Sequence, residues 1–168
     1  MFQVSGEMRN KYTLLLIAVG LVVVCDQISK LYVDAVMIPQ QSVAVIEHVF
    51  HLTYVRNPGG AFGILARAGR DVMRPLLLGL SALAVVAIVL IYRTTSQDRL
   101  VARLAFALVL GGAIGNLIDR IRLDEVIDFL DVHWYQYHWP AFNVADSAIT
   151  IGVGLLCWDL LFGKLARP

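Results

Sequence analysis

Two aspartates stand where carboxylates are costly. Asp128 lies within Val126-Ile127-Asp128-Phe129-Leu130, and Asp146 follows Phe142-Asn143-Val144-Ala145 and precedes a run of largely apolar residues down to Trp158. On insertion scales a carboxylate at the centre of a membrane span costs about 2.5–3.5 kcal/mol. Such a group needs a partner, a water-filled cavity or a function. Taken singly, each aspartate reads as structural at least as readily as functional; two at one membrane level, both in apolar settings, point to a shared site. Two close carboxylates cannot both ionise easily and tend to share a proton. One then takes a proton from water while the other donates one to a carbonyl oxygen. That is peptide hydrolysis of the aspartic type, with no covalent intermediate. The residues for other protease chemistries are missing: the chain has no HExxH, no GxSxG, and no cysteine paired with a histidine.

Further polar residues lie within or beside the same apolar runs. Asn143 is three residues before Asp146, so the two share a helix face; Asn143 reads either as a helix cap or as part of a site. Asp26 and Lys30 are four apart on one face, as a structural ion pair or as support for a site. In the run from Gly111 to Arg120, Gly111 and Gly115 form a small-xxx-small face that lets another helix approach closely. Asn116 and Arg120 share a face and suit a charge pair and a site equally. Asp119, beside Arg120 and three residues before Arg122, suits a structural pair with those cations, whereas desolvation among apolar neighbours suits Asp128 to acid–base work. His48, His51, His133 and His138 read as surface or interfacial residues. Cys25 and Cys157 form no CxxC and read as small buried core residues.

Four apolar runs of about the 20 residues a bilayer requires must position these groups: Tyr12 to Leu31, Pro75 to Tyr92, Leu100 to Ile118 and Ala141 to Phe162. The chain is 58% hydrophobic and 16% charged, with a mean hydropathy of +0.70. The net charge of +1 and the lack of a basic stripe argue against a nucleic-acid partner. The first run resembles a signal peptide, with Arg9 and Lys11 ahead of it. Val24 is too large for a cleavage point before Cys25, so the run reads as a retained helix. An even number of spans puts both termini on one side. The density of Arg9, Lys11, Arg93, Arg99, Arg103, Lys164 and Arg167 favours the cytoplasm for that side. The opposite segments then lie outside, at about 32–74 and 122–140. Residues 45–55 alternate with β-branched and aromatic content and read as strand; Asn57-Pro58-Gly59-Gly60 reads as a turn, and Ala61 to Leu65 as a returning strand. Trp134, Tyr135, Tyr137 and Trp139 suit the headgroup layer. The expected fold is an all-α membrane protein of four transmembrane helices with a small extracytoplasmic β-sheet segment, residues 1–168 forming one integral membrane domain.

At these blocks the chain resembles the bacterial lipoprotein signal peptidase family, also called signal peptidase II. The blocks are Asp26-Gln27-Ile28-Ser29-Lys30, Asn57-Pro58-Gly59-Gly60-Ala61-Phe62, Gly111 through Arg120, Val126-Ile127-Asp128-Phe129, and Phe142 through Ser147. Each is weak alone; five in this order within four spans are specific. The resemblance implies an aspartic endopeptidase of the cytoplasmic membrane, with its site near the outer face. It would act on prolipoproteins that carry a diacylglyceryl group on the lipobox cysteine, cutting just before that cysteine, and the glycine-rich face of the third run would leave room for a helix of that substrate. It implies Asp128 and Asp146 as the catalytic pair. Asn57, Gly59, Asn116, Arg120, Asn143, Ala145, Asp26 and Lys30 fall on positions that line or support the site. It implies no metal or organic cofactor, and lipid and substrate as partners of a monomer. Two other classes stay open: a small transporter or assembly subunit using the acids as a proton relay, and a membrane scaffold that would tolerate Asp→Asn at both positions.

Overall fold

A computed structural model of the chain describes residues 2–59 and 70–162. In chain order these form α1 (Phe2–Val36), β1 (Ser42–Ile46), β2 (Phe50–Asn57), α2 (Arg70–Thr94), α3 (Leu100–Leu123), β3 (Val126–Trp134), β4 (Tyr137–His138) and α4 (Val144–Phe162). Stretches of 26, 24, 24 and 19 residues, one in each helix, are long and apolar enough to cross a membrane. Helices satisfy their own backbone groups, which lipid cannot do. Their outward faces are apolar, as Leu16, Leu21, Leu83, Leu90, Leu160 and Leu161 illustrate.

Helix α3 is the centre of the bundle and its small residues explain why. Ala102, Ala105, Ala107, Gly111, Gly112 and Gly115 are all buried. A Cβ at Gly111 would stand 2.8 Å from Val22 Cβ, and one at Gly115 would stand 2.6 Å from Asp26 Oδ2. Gly112 lies against the Ala145 carbonyl, and a Cβ at Gly152 would stand 2.7 Å from the Ala105 carbonyl oxygen. Small residues let helix backbones approach. Here the chain's own α1 and α4 occupy the glycine faces, so those faces leave no room for a substrate helix. Cys25 and Cys157 are free and exposed on the outside of the bundle. The expectation that they are core residues is wrong: both lie on faces where any apolar side chain suffices.

The strands form one antiparallel sheet in the order β1-β2-β3-β4. The alternating stretch is strand, as expected, but folded as a hairpin that turns at Glu47–Val49, where His48 takes φ 63°. The partner of β2 is β3, through His51↔Asp131, Leu52↔Leu130 and Val55↔Asp128. The segment Ala61 to Leu65 lies outside the described residues. Asp124, in the left-handed region with φ 63°, ends α3, and β3 starts two residues later. Val33, Tyr54, Ile127 and Phe129 pack together where the sheet meets the helices. At the other end of the bundle Lys11 Nζ donates to the carbonyls of Arg93 (3.1 Å) and Thr95 (2.5 Å), a cation closing the C-terminus of α2.

Candidate active site

Chain direction brings the C-terminal ends of α1 and α3, the N-terminal end of α4, and the sheet to one end of the bundle. Asn143 sits where they converge and is fully buried. As the cap of α4, its Oδ1 accepts from the Asp146 N–H at 2.9 Å, while Asp146 Oδ2 accepts from the Asn143 N–H at 3.3 Å. This is a reciprocal capping box. The Asn143 Nδ2 group donates to Asp128 Oδ1 at 2.7 Å, and also to Asn116 Oδ1 and the Ile127 carbonyl, each at 3.2 Å. One asparagine therefore holds both acids. Asn143 is the helix cap that its sequence offers, and its side chain reaches Asp128 as well.

The second amide partner of each acid comes from another element. Asn57, at the end of β2, donates from Nδ2 to Asp128 Oδ2 at 2.9 Å. Its Oδ1 accepts from the Gly59 N–H at 2.9 Å, a local turn in which Gly59 adopts φ 88°. Asn116 of α3 donates from Nδ2 to Asp146 Oδ1 at 2.8 Å. Asp128 is 3% exposed, whereas Asp146 is half-buried. Burial is the largest influence on the Asp128 carboxyl and pushes it up to about 6. The bond from Asn57 opposes that rise, the Asp146 charge adds to it, and Asn143 and Lys30 oppose it. A carboxyl placed there changes protonation state near neutral pH, as acid–base chemistry requires.

Beneath the two acids lies a buried charge cluster. Lys30 Nζ reaches Asp26 Oδ2 at 2.8 Å, Asp119 Oδ2 at 2.9 Å and Asn116 Oδ1 at 2.9 Å. Asp26 Oδ1 accepts from the Ala145 N–H at 2.9 Å, satisfying an otherwise orphan donor in the first turn of α4. Asp119 Oδ2 also accepts from the Ile127 N–H at 3.2 Å, fixing the start of the strand that carries Asp128. Asp119 is thus a structural anion, but its cation is Lys30 across the helix interface rather than the neighbouring Arg120. Arg120 Nη1 reaches the Asn116 carbonyl at 3.4 Å, and its charge is felt by Asp146, Asp119 and Asp128. Gln27, to which the sequence assigns no role of its own, donates from Nε2 to Asp119 Oδ1 (3.0 Å) and to the Gly115 carbonyl (3.2 Å). Tyr54 reads from the sequence only as a strand residue. Its hydroxyl donates to Asp34, which also pairs with Arg56 at 2.7 Å, so β2 is tied to α1. An aromatic at a buried strand position with a hydroxyl to satisfy was the only sequence signal for that tie.

Four helices able to span a membrane, with two aspartates held by one asparagine beneath a small sheet, fit a membrane peptidase of the aspartic type. A family model described as "Signal peptidase (SPase) II" matches residues 18–162. The lipoprotein signal peptidase of Syntrophotalea carbinolica is 51% identical over 146 residues, 87% of this chain and 89% of its own. That of Geobacter metallireducens is 44% identical over 154 residues, 92% and 94% of the two chains. A solved bacterial membrane enzyme superposes with a TM-score of 0.78 at 35% identity, covering 88% of this chain and 92% of the other. The chain belongs to the signal peptidase II family, the membrane peptidases that cleave signal peptides from lipoproteins.

Proposed function

We propose that Asp128 and Asp146 are the catalytic pair, and that the substrate is a prolipoprotein already diacylglyceryl-modified on its lipobox cysteine. The observation that carries this reading is Asn143 holding both acids, one from its side chain and one from its own helix turn. A water between the carboxyls gives a proton to the ionised one as its oxygen attacks the scissile carbonyl carbon. The protonated carboxyl gives its proton to the carbonyl oxygen, forming a neutral gem-diol. Collapse of the diol breaks the C–N bond just before the lipidated cysteine. One proton passes to the leaving amine and the other returns to the pair. Asn57, Asn116 and Asn143 hold the acids without adding charge, and Gly59 shapes the turn that aims Asn57. Ala145 lends a backbone N–H to Asp26, and Lys30 neutralises the anions below.

A lipid-tailed helix must enter sideways from the bilayer, which requires a site near the membrane surface. The acids lie at the sheet end of the bundle, while Lys11, Arg93 and Arg99 lie at the other end. Positive charge at that end supports a cytoplasmic location for it and for both termini. The chain works as a single-domain monomer, and lipid is its second partner. The test is purified protein with a synthetic diacylated prolipoprotein, scored by the mass of the released product. Wild-type protein cleaves before the modified cysteine; Asp128→Asn and Asp146→Asn proteins, folded and free of deamidation, do not. Near wild-type cleavage by either variant overturns the assignment. Full activity on the unlipidated precursor overturns the substrate.

A further inference from the structure

We propose that the outer sheet carries a transition-metal site, separate from the acid pair, that takes one divalent ion of the zinc type. Its ligands are His51 of β2 with Asp131 and His133 of β3, whose ligating atoms all lie within 4.8 Å of one another. Strand register places them together. His51 is directly opposite Asp131, His133 is two residues further along the same strand, and His138 of β4 is opposite His133. Directly paired and i, i+2 residues share a sheet face.

Three details fit a ligand set better than an idle histidine cluster. First, His133 is 6% exposed, against the expectation of a surface residue, and its buried Nδ1 has no hydrogen-bond partner. Buried polar atoms are nearly always satisfied, and an orphan calls for a water or an ion. That atom is 3.9 Å from Asp131 Oδ1. Second, the Ser42 hydroxyl lies 3.3 Å from His51 Nδ1. With Nδ1–H donating to it, Nε2 keeps the lone pair for a metal. Third, His138 Nδ1 lies 2.9 and 3.0 Å from the two Asp131 oxygens. It also stacks on His133 with ring centroids 4.4 Å apart. A histidine donating to a ligating carboxylate is the outer-shell support metal sites use.

Two imidazoles and one carboxylate suit zinc-type ions and leave a fourth position for water. Ligand atoms around such an ion stand about 3.4 Å apart with bonds of ~2.1 Å, so occupancy needs a side-chain closure on the order of an ångström. The bound ion would pin β2 to β3. Asp131 is three residues from Asp128 on β3, and β2 carries Asn57, so pinning would stiffen the strands that aim Asp128.

The experiment uses full-length protein in detergent, free of any histidine tag and stripped with EDTA. Zn²⁺ is titrated by calorimetry, and Co²⁺ is followed by its visible d–d bands. The expected result is one ion per chain with no thiolate charge-transfer band, together with a rise in the melting temperature. His133→Ala and His51→Gln should each abolish stoichiometric binding. His138→Ala should weaken it 10–100-fold, and Asp128→Asn should leave it unchanged. No binding by folded wild-type protein overturns the site, as does binding that survives in both folded ligand variants. Loss of binding in Asp128→Asn would move the ion to the acid pair and equally overturn it.

Discussion

Replacing Asp128 by asparagine should stop cleavage and make the protein more stable. Asp128 is buried, and its carboxyl is pushed from 3.8 to about 6 in the fold. The folded state therefore binds more protons than the unfolded state between those two values. Stability falls as pH rises through that window, and the whole penalty is present above about pH 7. Roughly two pH units correspond to about 3 kcal/mol. Asparagine keeps the shape and removes the charge. It also turns one acceptor into a donor facing Asn57 or Asn143, which costs about 1 kcal/mol. Asp128→Asn should then be stabilised by roughly 2 kcal/mol at pH 8, and the gain should decay between pH 6 and pH 4. Equilibrium unfolding of both proteins in the same micelles, repeated across that pH range, measures the difference. A variant no more stable than wild type at pH 8, or a difference independent of pH, would refute the claim that Asp128 is an unwillingly buried charge. Activity lost together with stability gained separates a catalytic carboxylate from a structural one.

Asn57→Ala removes a bond that opposes the rise at Asp128, so the limb of the rate–pH profile governed by Asp128 should move to higher pH while the fold survives. Lys30→Met leaves Asp26 and Asp119 buried without their cation; chemical unfolding should show a loss of about 3–5 kcal/mol, whereas Asp119→Asn should cost less and leave measurable turnover. Gly115→Ala sets a methyl 2.6 Å from Asp26 Oδ2, so thermal melts should fall and cleavage with them, because Asp26 holds the first turn of α4. A reporter fused after Pro168 should read as cytoplasmic and one inserted near Gln136 as external; the reverse pattern overturns the orientation.

The helices were legible because lipid imposes one requirement along the whole chain, some 20 apolar residues per crossing. Three of the four observed helices contain the expected run; α4 instead starts at Val144, three residues inside its run, because Asn143 caps it, and α1 begins ten residues before Tyr12. The sheet was legible only in part. Residues 45–55 carry strand character, but nothing local marks the turn at Glu47–Val49, where His48 takes a left-handed conformation. Nor does local pattern reveal that β2 pairs with residues 126–134, some 70 positions away. Val126 to Leu130 is a continuous apolar run broken by one acid, which reads as strand or buried helix equally. The same distance problem affects the charges. Asp119 beside Arg120 suggested a local pair, yet local neighbours on a helix point to different faces. The real partner, Lys30, becomes visible only when α1 and α3 pack through Gly115.

The proposed mechanism requires one proton on the pair, and the charge balance of the surrounding groups favours it. Lys30 faces Asp26 and Asp119 together, which leaves one negative charge unmatched in that cluster. Among the described residues Arg120 is a second cation near the acids, shared among Asp146, Asp119 and Asp128. Against these two cations stand four carboxylates. If Asp128 and Asp146 were both ionised, two negative charges would remain in a low-dielectric site whose hydrogen-bond donors are neutral amides. Amides orient a carboxylate but do not cancel it, and the Asp128 carboxyl rises to about 6 despite two of them. A single proton held on the pair removes one of the two excess charges and creates the donor that the carbonyl oxygen needs. Under the proposed mechanism, asparagine at positions 57, 116 and 143, rather than lysine or arginine, leaves that proton in place. A cation at any of these three positions would stabilise the doubly ionised state and remove the acid. Asn116→Lys should accordingly fold, retain helix content and fail to cleave at neutral pH. Activity should return in part as the pH is lowered. Wild-type cleavage by that variant at neutral pH would show that the pair does not depend on a retained proton.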